Sequence, residues 1–337
     1  MVTVLQSILW VILGILIYRK KIVGDRVPKL LGKTLYWLGV PLQIFALARK
    51  SNFEKIVWLP ITVTVTVLLL GLALTLLILH IHKKRYINSY HMSVMSNNPQ
   101  NSIEARYFPS SNSAISLDFL PFTNAGRGSF IITSILGNTG FIGLALVPHF
   151  VDQSYWSWIV LYGIAHNVLG SYGLGVLVAD RYSCLKEQSN WLNQLSSIVL
   201  LPSLWAFVFG YLSQGLTLTN LVETGISLGT TIVLPGAFIL IGMQLGMSQQ
   251  WQNLKTGVFS TLIKMLVLPG ITGLALTFFG FEGDGRLVLV LMSGMPTAFA
   301  SVILAEAYNL NRNVAASGIL LSTLFLPIVL FGWLKVF

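Results

Sequence analysis

Long, continuous apolar runs dominate the chain, each about 20 residues long, with short basic or polar loops between them. A helix of this length crosses a bilayer with every backbone group paired inside the segment. An outer-membrane barrel would instead show alternating stretches of about 10 residues. Only 9% of the residues are charged, against roughly 25% in a soluble domain. The sequence therefore predicts an all-α polytopic membrane protein.

The apolar runs predict ten transmembrane helices, numbered here as spans 1 to 10. They lie at residues 2–18, 30–48, 56–80, 128–150 and 155–178, and then at 194–212, 221–246, 254–279, 286–308 and 313–335. Ten spans divide into five plus five, and an odd number per half means that any internal repeat must be inverted. The expected organisation is spans 1–3 of a first repeat (1–80), a loop (81–127), spans 4–5 (128–180) and a second, inverted repeat (181–337).

The segment 81–127 differs from the rest in composition. It is rich in Ser and Asn, carries Pro99, Pro109 and Pro121, and shows no sustained periodicity. We expect a mostly disordered cytoplasmic loop. It is either a tolerated insertion or a regulatory segment, and its composition favours the insertion.

The basic residues predict the orientation in the membrane. If the N-terminus lies outside, most of the 21 Lys and Arg residues fall on the cytoplasmic side, where positive residues are retained. Both termini are then outside. The net charge of +10 thereby reflects topology, and no nucleic-acid partner is expected. We expect a bacterial inner membrane, with the lipid bilayer as the surrounding partner.

Two predicted spans are interrupted near their middles. Span 4 contains the sequence GNTGFIG at 137–143, and span 9 contains GMPT at 294–297. Each glycine costs a helix about 1 kcal/mol relative to alanine, and broken backbone at membrane depth is tolerated only where protein or a water-filled cavity pairs the freed groups. Both are the fourth span of their half. Interrupted helices at matching positions indicate a transporter binding site.

The two breaks supply the predicted substrate-binding residues. A helix that begins after a break directs free N–H groups and a partial positive charge at its ligand, so the expected ligand is an anion, most simply a carboxylate. Alternatively, the asparagine of span 4 only caps a kink, and the proline of span 9 is an ordinary membrane-helix kink. The candidates are Asn138, Thr139, Gly140, Gly294, Met295, Pro296 and Thr297.

Lys264 is the only Lys or Arg residue buried well within a predicted span, away from its ends. It is predicted to serve coupling or charge balance: it could neutralise an anionic substrate, replace a coupling cation or exchange a proton. Alternatively, it snorkels to the nearby cytoplasmic surface. No acidic residue is central in a span, which argues against a sodium site made of carboxylates.

Further polar residues lie within the spans. Gln43, Asn167 and Gln244 either line the transport path or form hydrogen bonds between helices. His166 could carry protons or be a packed core residue. Glu306 is predicted to be structural or gating, through a pair with Arg312 or by capping backbone.

Several stretches resemble the auxin efflux carrier family. GNTG at 137–140 is similar to that family's crossover in helix 4, and MPTA at 295–298 with LAEAY at 304–308 is similar to its helix 9. GVP at 39–41, LIGMQL at 240–245 and KMLVLP at 264–269 fit as well. The resemblance spans nearly the whole chain outside 81–127. It implies two inverted five-helix repeats whose broken helices 4 and 9 cross at the substrate site, together with a scaffold or dimerisation region, so a homodimer is one expected assembly.

These observations predict a secondary transporter that moves a small organic anion by alternating access. Indole acids of the auxin type and dicarboxylates such as malate or malonate both fit. The alternatives are a cation-coupled anion symporter and a membrane receptor or sensor that binds an anion without moving it. The chain shows no phosphate-binding loop, no HExxH motif and no paired carboxylates within a span, so neither an enzyme, a cofactor nor a metal is expected.

Overall fold

The computed structural model describes residues 2–53, 57–95, 123–183, 200–247 and 254–337. Within these ranges the protein is all-helical apart from one isolated β-bridge. The expectation of an all-helical polytopic protein is therefore confirmed.

The first half contains eight α-helices in the residues that the structure describes. Four π-helical segments continue or join helices of the chain, at Leu35–Gly39, Thr139–Gly143, His166–Leu174 and Ile263–Val267. The eight helices are α1 (Val2–Arg19), α2 (Arg26–Thr34), α3 (Val40–Lys50), α4 (Trp58–Met95), α5 (Asn124–Ile135), α6 (Leu144–Leu146), α7 (Trp156–Ala165) and α8 (Gly175–Tyr182).

The second half contains seven α-helices in its described part. They are α9 (Pro202–Leu212), α10 (Asn220–Met247), α11 (Leu254–Leu262), α12 (Leu268–Phe278), α13 (Gly283–Ser293), α14 (Ala300–Ala307) and α15 (Arg312–Val336).

Among the described residues, six helices are long and apolar enough to cross a membrane. They correspond to predicted spans 2, 3, 5, 7, 8 and 10, and lie at Arg26–Lys50, Trp58–Lys84, Gln153–Tyr182, Asn220–Gln244, Leu254–Phe278 and Arg312–Val336. Spans 4 and 9 are each divided into shorter pieces. The described apolar part of span 1 is the shorter stretch Leu9–Arg19, and that of span 6 is Pro202–Leu212; residues 194–199 of span 6 lie outside the described residues.

The structure corrects the boundaries of the predicted loop at 81–127. Helix α4 continues to Met95, and α5 begins at Asn124, where the Thr123 hydroxyl accepts a hydrogen bond from the amide of Gly126. Uninterrupted helix-forming sequence after His80 lets α4 extend beyond its apolar stretch. The rest of the predicted loop, 96–122, lies outside the described residues.

The interrupted helices lie at the centre of the bundle. In α5 every residue from Gly128 to Ile135 is buried, and in α13 every residue from Leu287 to Ser293 is buried. Helices that are apolar all round are buried by neighbouring helices. Helices α8, α11 and α15 pack on α5, while α7, α12 and α15 pack on α13.

Helices α1 and α10 touch backbone to backbone. A Cβ atom added to Gly14 would lie 2.3 Å from the carbonyl oxygen of Ile239, and one added to Gly242 would lie 2.1 Å from that of Val11. No other residue fits at either position, because small residues are what allow membrane helices to approach this closely. A similar contact joins α3 and α9, where a Cβ atom added to Gly210 would lie 2.8 Å from the carbonyl oxygen of Phe45.

Candidate functional site at the crossing of the two breaks

The two broken stretches of backbone pair with each other. Gly137 and Thr297 form an isolated antiparallel β-bridge. The amide of Asn138 donates to the carbonyl oxygen of Pro296 over 2.6 Å, and the amide of Ala298 donates to that of Leu136 over 2.9 Å. Each break therefore supplies hydrogen-bond partners that the other lacks, as backbone at membrane depth requires.

The asparagine of the first break caps the helical turn that follows it. Asn138 Oδ1 accepts from the amide of Phe141 over 3.2 Å, while its carbonyl oxygen accepts from the amides of Ile142 and Gly143. The Asn138 side chain therefore caps this turn, as the capping alternative predicts. The amides of Thr139 and Gly140 open the turn and have no intrahelical acceptor. Thr139 Oγ1 is buried and has no hydrogen-bond partner among the described residues.

The second break is held by hydroxyl groups. Thr297 Oγ1 donates to the carbonyl oxygen of Thr133 over 3.0 Å, and the amide of Thr297 donates to Ser322 Oγ over 3.0 Å. These bonds connect the break of span 9 to α5 on one side and to α15 on the other. The hydroxyl of Thr297 therefore fixes the crossing, rather than being free for a ligand.

Lys264 lies between the two breaks. Its side chain has no exposed surface, and Nζ donates to the carbonyl oxygen of Ser293, the last residue of α13, over 2.5 Å. A Cβ atom added to Gly137 would lie 2.9 Å from the same nitrogen. A cation at a helix C-terminus meets the negative end of the helix dipole. The ammonium group is directed into the crossing, and the snorkelling alternative is wrong.

Two adjacent residues of span 5 contact the first break. His166 Nε2 accepts a hydrogen bond from the amide of Gly137 over 2.8 Å. The amide nitrogen of Asn167 lies 2.9 Å from where a Cβ atom of Gly140 would stand. Of the three path-lining candidates, Asn167 is therefore the one beside the break.

A cavity of about 950 Å³ opens next to the crossing, between α1, α3, α6, α7 and α10. Its wall is mostly apolar and includes Trp10 and Trp156, with Lys50 and His149 as basic groups. Gln43 also lines it, is only 5% exposed, and its Oε1 has no partner among the described residues. The described wall carries no acidic side chain.

The predicted binding residues of the breaks do not themselves form the wall of this cavity. It reaches Leu144 and Ala145, directly after Gly143, but neither Asn138, Thr139 nor the 294–297 stretch lines it. Gln244 is not part of the wall either. Glu306 pairs with Arg312 at 2.9 Å on the protein surface, as the sequence predicted.

A tyrosine pair joins spans 2 and 5 at the end opposite Lys50. Tyr36 Oη and Tyr172 Oη lie 2.6 Å apart. Both belong to π-helical segments, as do Lys264 and His166. Single π-helical turns occur frequently at functional sites. Here each π-helical segment carries a residue of the crossing or of the Tyr36–Tyr172 pair.

Sequence reasoning missed several of these residues. Thr133 and Ser322 are ordinary helix residues by sequence, and only the crossing brings them to Thr297. Lys50 and His149 look like topology-setting residues at span ends. Trp10 and Trp156 match the aromatic residues found at membrane interfaces.

The unusual density of polar side chains in span 10, including Ser317, Ser322 and Thr323, is the signal in the sequence that could have indicated a role for this span in the site.

Buried, mutually paired helix breaks in an apolar helical bundle, with a cavity beside them, define the class of membrane transport proteins. Comparison with known families agrees: the family described as "Membrane transport protein", which includes the auxin efflux carriers, matches residues 111–334. The chain belongs to this family and is a transporter, not an enzyme. An uncharacterized transporter of Methanocaldococcus jannaschii is 25% identical over 213 residues, covering 61% of this chain and 68% of that protein.

Proposed function

We propose that the protein is a secondary transporter that moves a small organic anion by alternating access. The observation that carries the proposal is the Lys264 ammonium held at the crossing, beside helix-opening amides that have no intrahelical acceptor. Helix-opening N–H groups and a buried cation favour a negatively charged ligand. Asn138, Thr139 and Gly140 would bind it on one side, with Gly294, Met295 and Pro296 on the other, while Thr297 holds the crossing in place.

The cavity supports an anionic substrate. Lys50 and His149 on its wall attract anions, and the described wall has no carboxylate to repel them. Gln43 on the same wall carries a side-chain NH₂ group, the kind of donor from which a carboxylate accepts. The cavity reaches the residues directly after the first break, so it is the route by which an anion would approach the crossing from the Lys50 end.

Two inverted five-helix repeats are part of this proposal. In a repeat of five spans, span 1 corresponds to span 6 and span 7 corresponds to span 2. The pair of spans 1 and 7 packs as α1 on α10, and the corresponding pair of spans 6 and 2 packs as α9 on α3. The same operation relates the pairs of spans 3 and 5 and of spans 8 and 10, which pack as α4 on α7 and α11 on α15. With the divided spans 4 and 9 this supports ten spans.

Alternating access requires that the site open to one side at a time. The cavity opens at the Lys50 end, while the Tyr36–Tyr172 contact joins the helices at the opposite end. This arrangement supports a state open on one side. A homodimer, a bacterial inner-membrane location and both termini outside remain predictions.

Counterflow in proteoliposomes with labelled monocarboxylates and dicarboxylates tests the proposal. We expect saturable exchange in the wild type, at least about tenfold slower exchange in Asn138→Ala, Pro296→Ala and Gln43→Leu, and unchanged exchange in Thr66→Val. Thr66 is a matched control because it is an exposed residue of α4, away from the cavity.

The other outcomes of the counterflow experiment support an alternative function or contradict the proposed site. Exchange that depends on sodium supports the cation-coupled symporter. Saturable anion binding without exchange supports a receptor or sensor. If no carboxylate binds or exchanges, the proposed anion site is wrong.

A further inference from the structure

His166 holds the first break through a single ring nitrogen. The donor in this hydrogen bond is the backbone amide of Gly137, so Nε2 of His166 must be the acceptor. The ring is therefore neutral in this structure, with its proton on Nδ1. A proton at Nε2 would place two donors against each other and remove the bond.

The surroundings of His166 offer no acceptor to a charged ring. The side chain has no exposed surface, and Nδ1 has no hydrogen-bond partner among the described residues. Its ring stacks on Tyr162, with ring centroids 6.1 Å apart. An imidazolium would bring two N–H donors into this pocket, so protonation at Nε2 would require the break to move.

The charged and titratable groups near His166 come from few elements. Tyr162 lies on its own span, and Lys264 reaches the same glycine from span 8. The Thr139–Gly143 segment contains no titratable side chain, and α4 contacts the His166–Leu174 segment through Leu68, which faces Gly170. Lys264 is thus the charge that opposes a second positive charge on His166, and an anion at the crossing would offset that repulsion.

We propose that His166 is a positioning residue that couples proton binding to anion transport. Neutral His166 holds Gly137 in the paired crossing. Transfer of a proton from a hydronium ion to Nε2 breaks an O–H bond, forms an N–H bond and leaves a water molecule, and it releases the Gly137 amide from span 5. An anion at the crossing favours this protonation, and by linkage the proton favours the anion to the same extent. The inference rests on the proposed function, because it describes how the anion is coupled.

Transport driven by a pH difference tests the coupling. One proton per monovalent anion predicts about tenfold accumulation for each unit of pH difference, with the membrane potential clamped. His166→Gln keeps an acceptor at the position of Nε2 but does not take up a proton, so it should retain counterflow and lose accumulation. His166→Phe keeps the ring and loses the acceptor, so counterflow should fall at least about tenfold. His80→Gln, at an exposed histidine of α4 that does not line the cavity, should reproduce the accumulation of the wild type.

A nitrogen-15 NMR measurement on histidine-labelled protein gives a readout that does not depend on transport. The signal lost in His166→Gln identifies the residue, and we expect an unprotonated Nε2 at neutral pH. Adding a transported carboxylate should raise the pH at which this nitrogen becomes protonated.

The outcomes separate this inference from the proposed function. Anion exchange that the pH difference does not drive overturns the coupling and leaves the anion transporter standing. Accumulation that persists in His166→Gln, or a protonated Nε2 at neutral pH, overturns the role of His166. If no anion is exchanged by the wild type, both proposals fail together.

Discussion

Lys264 Nζ and the carbonyl oxygen of Ser293 lie 2.5 Å apart in the centre of the bundle. The bond joins span 8 to the end of α13, where the helix of span 9 stops. Burial of an ammonium group in hydrocarbon costs several kcal/mol, and among the described residues no carboxylate pairs with this one. For a residue this costly to bury, placed at a break, we expect a role in function rather than in stability.

Replacing Lys264 with methionine should therefore reduce transport much more than stability. The variant leaves the Ser293 carbonyl without its charged donor but removes the cost of burying the charge, and these effects oppose each other. We expect a melting temperature within a few degrees of the wild type and at least about a tenfold loss of counterflow. Lys255→Met, at an exposed position of the same span, should change neither. A large loss of stability in Lys264→Met would assign the lysine a structural role.

Gly137→Ala should disturb the crossing directly. The added methyl group would lie 2.8 Å from Cε and 2.9 Å from Nζ of Lys264, so the ammonium must leave its place beside Ser293. Overpacking a buried site of this kind costs about 1–3 kcal/mol, which thermal unfolding in detergent can measure, along with a loss of counterflow. Gly225→Ala is the control, because an added methyl group there meets nothing within 4 Å and should stabilise α10 slightly. Equal behaviour of the two variants would contradict the packing described.

The hydroxyl of Thr297 should matter more than its methyl group. Thr297→Val keeps the shape but removes the donor to the Thr133 carbonyl, which costs about 1 kcal/mol of stability. Thr297→Ser retains the hydroxyl and should lose less. The comparison requires only melting temperatures of purified protein, and a valine variant as stable as the serine variant would show that this bond contributes nothing.

Breaking the Tyr36–Tyr172 contact should shift the protein away from the state open at the Lys50 end. Tyr36→Phe removes one hydroxyl of the pair, and a bond worth about 1 kcal/mol changes a two-state ratio roughly fivefold. Labelling of Gln43→Cys by a membrane-impermeant maleimide, added from the Lys50 side in a Cys184→Ser background, reports this ratio. We expect slower labelling in Tyr36→Phe, and unchanged or faster labelling would show that the pair does not close the opposite end.

The large-scale organisation was predictable because burial in lipid leaves few choices. An apolar run of about 20 residues has to be a helix, and the six long spans appear where their sequences place them. The two breaks could also be located, since glycine, asparagine and proline disfavour a helix wherever they occur. The extension of α4 to Met95 was missed because its residues after Leu79 are polar, and polarity alone does not distinguish a helix in water from a loop.

The partners within the site were much harder to predict. Lys264 was identified by its charge, but its contact with Ser293 depends on how spans 8 and 9 pack, and no local pattern specifies that. From the sequence, a packed core position for His166 was favoured over proton transfer, and only its bond to Gly137 shows which nitrogen accepts. The wall of the cavity comes from five separate elements, so no single stretch of sequence carries its signature.

The glycine contacts between α1 and α10 have a consequence for motion. Where backbones touch at Gly14 and Gly242, there are no intervening side chains that could change rotamer and let one helix slide along the other. Under the proposed alternating access, we therefore expect α1 and α10 to keep their relative position and to move as one rigid unit. A change in the side to which the cavity opens would then come from movement of the crossing and its neighbours relative to that pair.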